Sequence, residues 1–190
     1  MREEHNRLSS LCKFEPKTVS FPDEFLRWRD VEPGMMIVSR FDITHWQDIM
    51  PFASSDEEVY AFLRDTRDYA RMYVLEDILS QKLLGVCLLI VADSRKHTVN
   101  LHGGIFPKNY SPLKCCNGLL IMIDALMNSG WHVRSHSKTL RAYRLLKSLG
   151  FRICGYHNGF IYSYINKKLL HKSPIYRRIS YQKNNNTAVH

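Results

Sequence analysis

The sequence lacks an apolar run long enough to cross a membrane, since no stretch approaches the roughly 18 to 20 consecutive apolar residues that a membrane helix needs. Its first residues, MREEHNRLSS, also lack the apolar segment of a secretory signal. These two absences predict a cytoplasmic protein without membrane contact. At 190 residues and 45% hydrophobic composition, the chain can form one core of ordinary size but not two full domains.

Patterns for disulfides and metal sites are missing as well. The five cysteines form an odd set without a C-x-x-C pair, which argues against a disulfide framework and against a zinc cluster. His132 and His136 are four residues apart, but they fall on a predicted strand and the turn after it, so they do not share a helix face as paired zinc ligands do. The sequence therefore predicts reduced thiols and no metal site.

Positive charge is unevenly distributed along the chain, which carries a formal net charge of +9. Residues 166–190 contain six Lys or Arg and no acid. Such a segment attracts nucleic acid or an acidic protein, although YQKNNNTAVH has so little to bury that a solvated end is the alternative. We predict an N-terminal extension over 1–33, a domain over 34–166 and a basic, partly disordered tail over 167–190.

The first part of the chain predicts one strand and several helices. FPDEFLRWRD (21–30), with an aspartate as its cap, predicts a short helix. MMIVSRF (35–41) predicts a strand, and DITHWQDIMPF (42–52) predicts a helix that begins at its aspartate. Ser55 and Glu58 have the spacing of a capping box, which predicts a further helix.

The middle of the chain predicts an antiparallel meander of three strands, over 70–81, 82–93 and 98–106. The second of them is apolar on both faces and should therefore be central in the sheet. The dipeptide Ser111-Pro112 then predicts the start of a helix that ends at Gly130.

The last part of the chain predicts a strand, a helix and a hairpin. WHVRSH (131–136) has the composition of a strand, and SKTLRAYRLLKSLG (137–150) has a helical apolar stripe that ends at a glycine. FRICGYHNGFIYSYI (151–165) predicts a hairpin, because its Asn-Gly pair is a strong signal for a tight turn.

Three local motifs stand out within this order of elements. In TLRAYRLLKSLGFRICG (139–155), a helix with a small residue ends in Gly-Phe and leads into a strand that a glycine interrupts. Gly85 lies near the start of a long apolar strand, and the strand over 98–106 ends in an apolar-x-Pro sequence at 105–107. Together these features over 34–166 resemble the GCN5-related N-acetyltransferases. The resemblance implies an α/β fold with a mixed, mostly antiparallel twisted sheet of six to seven strands and about four helices.

The resemblance also implies a site for acetyl-CoA between two splayed strands. The pantetheine arm of the donor would pair with the strand end, and its pyrophosphate would lie at the N-terminus of the next helix. In place of the family's glycine-rich loop this chain has KNYSPLKCCNGLL. A cation in the first turn of that helix, Lys114, would favour a bound phosphate, because alone it opposes the helix dipole. The implied binding residues are Gly104, Ile105, Phe106, Ser111, Lys114, Cys115, Cys116, Asn117, Gly118 and Thr139.

Three residues are candidates for the direct transfer of an acyl group to an amine that the resemblance implies. His102 is the candidate base, because it lies on the strand beside the expected thioester and an ordinary histidine has a pKa near 6.5. Glu76 is a second candidate. The family's usual tyrosine position corresponds to Leu146, and Tyr143, about one helical turn earlier, could take its place.

Three functions remain open on the sequence alone. An N-acyltransferase that uses acetyl-CoA predicts an open, V-shaped cleft between the two strands. A non-catalytic binding or assembly protein of the same fold predicts that Cys115 and Cys116 fill this cleft and that the basic tail contacts a partner. The net charge favours a third hypothesis, a domain that only binds nucleic acid. The sequence has no helix dense in Arg and Lys, which argues against it.

Overall fold

The computed structural model describes residues 19–21, 24–31, 55–66, 69–105 and 111–178. Four helices have both ends in these ranges: α1 (Asp56–Thr66), α2 (Pro112–Asn128), α3 (Leu140–Ser148) and α4 (Lys167–Lys172). Eight strands form one sheet: β1 (Val19–Phe21), β2 (Glu24–Val31), β3 (Ala70–Asp77), β4 (Lys82–Asp93), β5 (Thr98–Ile105), β6 (His132–Ser137), β7 (Arg152–His157) and β8 (Phe160–Ile165).

The sheet is mixed and mostly antiparallel, with the strand order β1-β2-β3-β4-β5-β6-β8-β7. Within the described residues, β5 and β6 form the parallel pair and every other neighbouring pair is antiparallel. The predicted α/β architecture is confirmed. Residues 19–31 extend the predicted sheet of six to seven strands to eight.

The predicted helix over 21–30 is wrong, because this segment contributes β2. Leu26 and Trp28 are buried, whereas Arg27 and Arg29 between and after them are exposed. This alternation has the period of two that a half-buried strand requires. The strand predicted over 35–41 and the helix predicted over 42–52 lie outside the described residues.

The centre of the sheet is the predicted meander of β3, β4 and β5. All side chains from Leu84 to Leu89 on β4 are buried, so the prediction of a central strand is confirmed. Helix α2 covers one face of the sheet and buries eleven of its residues. It begins at Pro112 as predicted and ends two residues before Gly130.

A helix cap and a hairpin turn lie where the sequence predicts them. The hydroxyl of Ser55 accepts a hydrogen bond from the backbone N–H of Glu58 (3.3 Å), which confirms the predicted cap of α1. The β7–β8 hairpin turns at Asn158 and Gly159, both with positive φ (49° and 78°). Two consecutive residues with positive φ are typical of the tight turns that match the twist of a hairpin.

Helix α4 contributes to the same core as the sheet, since its Leu169 and Leu170 are buried among the core residues. Asn166 caps the helix by accepting a hydrogen bond from the N–H of Leu169 (2.9 Å). The domain bounds over 1–33, 34–166 and 167–190 stay predictions, although β2 and α4 show that residues outside 34–166 enter the sheet and the core. No helix in the described part of the chain is both long enough and apolar enough to span a membrane.

Candidate functional site

A cleft opens where the two parallel strands separate. Residues 98–100 of β5 pair with 132–134 of β6, and beyond them the described strands diverge. The cleft comprises about 770 Å³ of space, including the open solvent at its mouth. Its walls come from β2 to β6, α2 and α3: Trp28, Leu75, Gly85, Val86, Leu101, His102, Gly103, Gly104, Cys115, Leu119, Ser135, His136, Ser137, Lys138, Thr139, Ala142, Leu145 and Leu146.

Ser135 closes the narrow end of the cleft. Its hydroxyl donates a hydrogen bond to the backbone carbonyl of Leu101 (2.8 Å). Leu101 is the first residue of β5 after the segment that pairs with β6, so a side chain replaces a strand as the partner of its carbonyl. The backbone carbonyl of Ser135 accepts a hydrogen bond from the hydroxyl of Ser163 (3.2 Å). Gly103 and Gly104 follow on β5, where they pair with β4 on one side and line the cleft on the other. An extended ligand could add to this open strand edge as a further strand does.

His102 lies in the cleft wall with only 3% of its surface exposed. Its Nε2 has no hydrogen-bond partner among the described residues. Its ring meets the ring of His136 edge to face, with 4.4 Å between the centroids. Burial, with a smaller contribution from the nearby His136, lowers the pKa of His102 to about 3. The imidazole is therefore neutral at neutral pH and a weaker base than an ordinary histidine.

Helix α2 contributes Cys115 and Leu119 to another part of the cleft wall. The side chain of Ser111 caps no backbone group of this helix, and Pro112 follows as the first helical residue. Cys115 lines the cleft, and its Sγ lies 3.8 Å from the carbonyl oxygen of Leu84. Burial raises the pKa of Cys115 to about 11, so it is a thiol and not a nucleophilic thiolate at neutral pH.

Lys114 has a protein carboxylate as its partner. Its Nζ lies 2.7 Å from Oδ2 of Asp77, whose side chain is only 4% exposed. Burial acts to raise the pKa of Asp77, but hydrogen bonds from Lys114 and Ser80 outweigh it and hold the pKa below its usual value. The anion that compensates the cation in the first turn of α2 is thus Asp77. Binding of a phosphate by Lys114 stays a prediction.

Solved structures with a similar fold include polyamine acetyltransferases. A spermidine N-acetyltransferase from Vibrio cholerae in complex with CoA and spermine has a TM-score of 0.56 and 18% identity, over 76% of this chain and 97% of that one. A chimera of this enzyme, SpeG, with hSSAT has a TM-score of 0.56 and 20% identity, over 77% and 99% of the two chains. SpeG with manganese ions has a TM-score of 0.53 and 19% identity, over 74% and 91%.

This chain has the fold of the GCN5-related N-acetyltransferases. The predicted resemblance is therefore confirmed at the level of the fold. No protein-family model matches the sequence, and no curated protein matches it. At 18 to 20% identity the likeness to the solved structures shows the fold alone.

Two predicted catalytic residues of the acetyltransferase fold lie away from the cleft. Glu76 accepts hydrogen bonds from Arg27 (2.8 Å) and Arg29 (2.7 Å) on β2 and does not line the cleft. Burial acts to raise the pKa of Glu76, but these two guanidinium groups outweigh it and hold the pKa below its usual value. Tyr143 is half-buried on α3 and does not line the cleft either. Their catalytic roles stay predictions, without support from this geometry.

The predicted donor-binding residues divide into two groups. Gly104, Cys115 and Thr139 line the cleft, and Thr139 also caps α3 by accepting a hydrogen bond from the N–H of Ala142 (3.2 Å). Cys116 and Asn117 are buried in α2 and do not line it. Ile105 ends β5, paired with Gly85 of β4, and Phe106 lies outside the described residues.

Gly118 packs against the sheet instead of lining the cleft. Its carbonyl accepts a hydrogen bond from the indole N–H of Trp28 (2.8 Å), and a Cβ at this position would lie 2.7 Å from Cδ1 of Leu75. A glycine is needed here because helix and strand approach so closely. The sequence placed Gly118 in the donor site, whereas its described contacts belong to the core.

Substitution of Gly118 by alanine should therefore destabilise the protein. The added methyl group overlaps Leu75, and overpacking of a core typically costs about 1 to 3 kcal/mol of unfolding free energy. Denaturation by urea measures the change. Gly155→Ala is the matched control, because nothing lies within 4 Å of a Cβ there and its loss should be much smaller. Equal losses for the two variants would contradict the close approach of α2 to β3.

The sequence missed several residues of the cleft. Trp28 was assigned to a helix, although its alternation with charged neighbours could have revealed a strand. Ser135 and His136 belong to a strand that was predicted, and Lys138 follows it, but their approach to β5 was not used to assign them to the site. Within the described ranges, no three His, Cys, Asp or Glu side chains are placed to hold a metal ion.

Proposed function

We propose that the protein is an N-acyltransferase that transfers an acetyl or other acyl group from acetyl-CoA to an amine of a small molecule, peptide or protein. The observation that carries this proposal is the splayed pair of β5 and β6 with an open cleft between them. One ligand in this cleft could contact the open strand edge of Gly103 and Gly104, the wall that contains the neutral His102, and Cys115 of α2.

Two properties of the described residues support this donor. Its pantetheine arm carries amide groups that can pair with the backbone of Gly103 and Gly104. Its phosphates carry negative charge, which is stabilised near the uncapped N-terminus of α2. Because Lys114 is paired with Asp77, we assign the charge that faces the phosphates to Lys138, which lines the cleft between β6 and α3.

Direct transfer is the chemistry that these groups favour. The Cys115 thiol is protonated at neutral pH, which disfavours a covalent acyl-enzyme. The amine would attack the thioester carbonyl directly, and the unpartnered Nε2 of His102 could accept a hydrogen bond from it. The cytoplasm is the proposed location of the protein.

The proposal is tested by titrating the full chain with acetyl-CoA and with CoA in a calorimeter. Micromolar binding is expected for the wild type. Lys138→Ala should weaken it about tenfold, or about 1.4 kcal/mol, through the loss of one charged contact. Lys147→Ala, at an exposed position of α3 outside the cleft, should bind as the wild type does. Pantetheine lacks the phosphates, so its binding should be unchanged in Lys138→Ala. If neither acetyl-CoA nor CoA binds at millimolar concentration, the proposed donor is refuted.

The alternative is a binding or assembly protein whose basic segment contacts nucleic acid or an acidic protein. One observation favours it, since five cations lie exposed on and after α4: Lys167, Lys168, Lys172, Arg177 and Arg178. However, this hypothesis expects Cys115 and Cys116 to fill the cleft. Cys115 forms only part of one wall and Cys116 does not line it, which favours the enzyme.

A further inference from the structure

Four aromatic rings form a continuous wall from the cleft to the surface, and we name it the ring wall. Its members are His102 and His136, which line the cleft, and Phe160 and Tyr162 of β8. The centroid of His136 lies 4.4 Å from that of His102, 5.4 Å from that of Phe160 and 5.6 Å from that of Tyr162. His102 is buried, whereas Tyr162 is 37% exposed. The wall thus leads from solvent to the buried His102, whose Nε2 has no hydrogen-bond partner among the described residues.

The ring wall is uncharged at neutral pH. Burial lowers the pKa of His136 as well as that of His102, so both imidazoles are neutral. The other titratable groups that line the described cleft are Cys115 and Lys138. No carboxylate of the described residues lines it, and Glu76 and Asp77, which are outside its lining, are paired with basic side chains.

These surroundings suit one kind of amine. An alkylamine such as a lysine side chain has a pKa of about 10.4 and is protonated at neutral pH. It needs a carboxylate to bind it and a strong base to deprotonate it before attack. An aromatic amine is already neutral and nucleophilic at this pH, and its flat ring can stack on other aromatic rings. The weak base His102 is sufficient for it, because the nitrogen becomes acidic only once it has attacked the carbonyl.

Resting on the proposed function, we propose that the acyl acceptor is a weakly basic aromatic amine that stacks on the ring wall at His136 and Tyr162, with its amino group hydrogen-bonded to Nε2 of His102. The nitrogen lone pair attacks the thioester carbonyl and forms the C–N bond. The C–S bond breaks, the nitrogen gives one proton to Nε2, and the departing thiolate takes that proton. The products are an N-acyl arylamine and the free thiol of CoA, and His102 is regenerated.

The test compares two isomeric amines with the full chain and acetyl-CoA. 4-Methylaniline and benzylamine contain the same atoms and both carry one ring, but the first is neutral and the second is protonated at neutral pH. Release of the CoA thiol is followed with a chromogenic disulfide, and spermidine serves as a polyamine acceptor. We expect a kcat/KM for 4-methylaniline at least about tenfold above that of either alkylamine. Its rate should stay nearly constant between pH 7 and 9.

Two tyrosine variants test the ring wall itself. Tyr162→Ala should raise the KM for 4-methylaniline about fivefold, since it removes one stacking surface, while acetyl-CoA binding stays unchanged. Tyr156→Ala is the matched control, because this tyrosine is 69% exposed on the neighbouring strand β7 and is not part of the wall. Equal effects of both variants would overturn the role of the wall.

The outcomes separate this inference from the proposed function. If benzylamine or spermidine is the better acceptor, the aromatic acceptor is wrong and the acyltransferase stands. The aromatic acceptor is also wrong if acetyl-CoA binds but 4-methylaniline is not acylated. If acetyl-CoA does not bind to the wild type, the proposed function fails together with this inference.

Discussion

Replacement of Ala142 by tryptophan is expected to weaken the binding of acetyl-CoA strongly, with a loss of affinity on the order of 100-fold, or about 2.7 kcal/mol. Ala142 lies on α3 and its small side chain lines the cleft opposite the end of β5. An indole at this position would occupy the space that the pantetheine arm needs. The residue is only half-buried, so the larger side chain can be accommodated without disrupting the core.

Calorimetric titration with acetyl-CoA checks this expectation, together with thermal denaturation to show that the variant is folded. Arg144→Trp is the matched control, because Arg144 is exposed on the same helix and does not line the cleft. It should bind acetyl-CoA as the wild type does. A folded Ala142→Trp variant with wild-type affinity would show that the donor binds elsewhere.

The stability of the protein should fall in mild acid because of His102. The pKa of this residue is about 3 in the folded state and near 6.5 in an unfolded chain. Below pH 6.5 the unfolded state therefore binds a proton that the folded state does not. The contribution of His102 is fully present above pH 6.5 and is lost as the pH falls toward 3. The full loss is on the order of 5 kcal/mol, at about 1.4 kcal/mol for each pKa unit.

Urea denaturation between pH 8 and pH 5 measures this loss for the wild type and for His102→Phe. The wild type should lose about 2 kcal/mol between pH 6.5 and pH 5 from this residue alone. The variant should lose correspondingly less, although His136 remains and its lowered pKa acts in the same direction. At pH 8 both imidazoles are neutral, so the proteins differ there only by packing. Identical slopes would contradict the burial of His102.

The sequence was sufficient for elements with strong periodicity. The meander, α2, α3 and the β7–β8 hairpin all follow from apolar patterns and from local signals such as Ser111-Pro112 and Asn158-Gly159. Helix and strand were confused over 21–30, because this short segment follows a proline and an aspartate that suggest a helix cap. The alternation of apolar and charged residues in this segment indicates a strand, and the pairing of β2 with β3 shows that it is one.

The sequence predicted those residues of the candidate site that belong to a motif. It did not predict contacts between residues that are distant in the sequence. His102, Gly104, Cys115 and Thr139 were found through the resemblance, and all four line the cleft. The partner of Lys114 could not be read from the sequence, since Asp77 lies 37 positions away. As long as this carboxylate partner was unknown, the position of Lys114 at the start of α2 indicated a bound phosphate.

The cleft draws its walls from segments between Trp28 and Leu146, and its supporting core extends to Leu170. A ribosome that has synthesised α2 but not yet α3 therefore carries a nascent chain without a complete site. Until the later strands emerge, the apolar side of α2 lacks part of its cover, and such surfaces attract chaperones or other nascent chains. The cleft should consequently be complete only after synthesis has passed α4, at a late stage of translation.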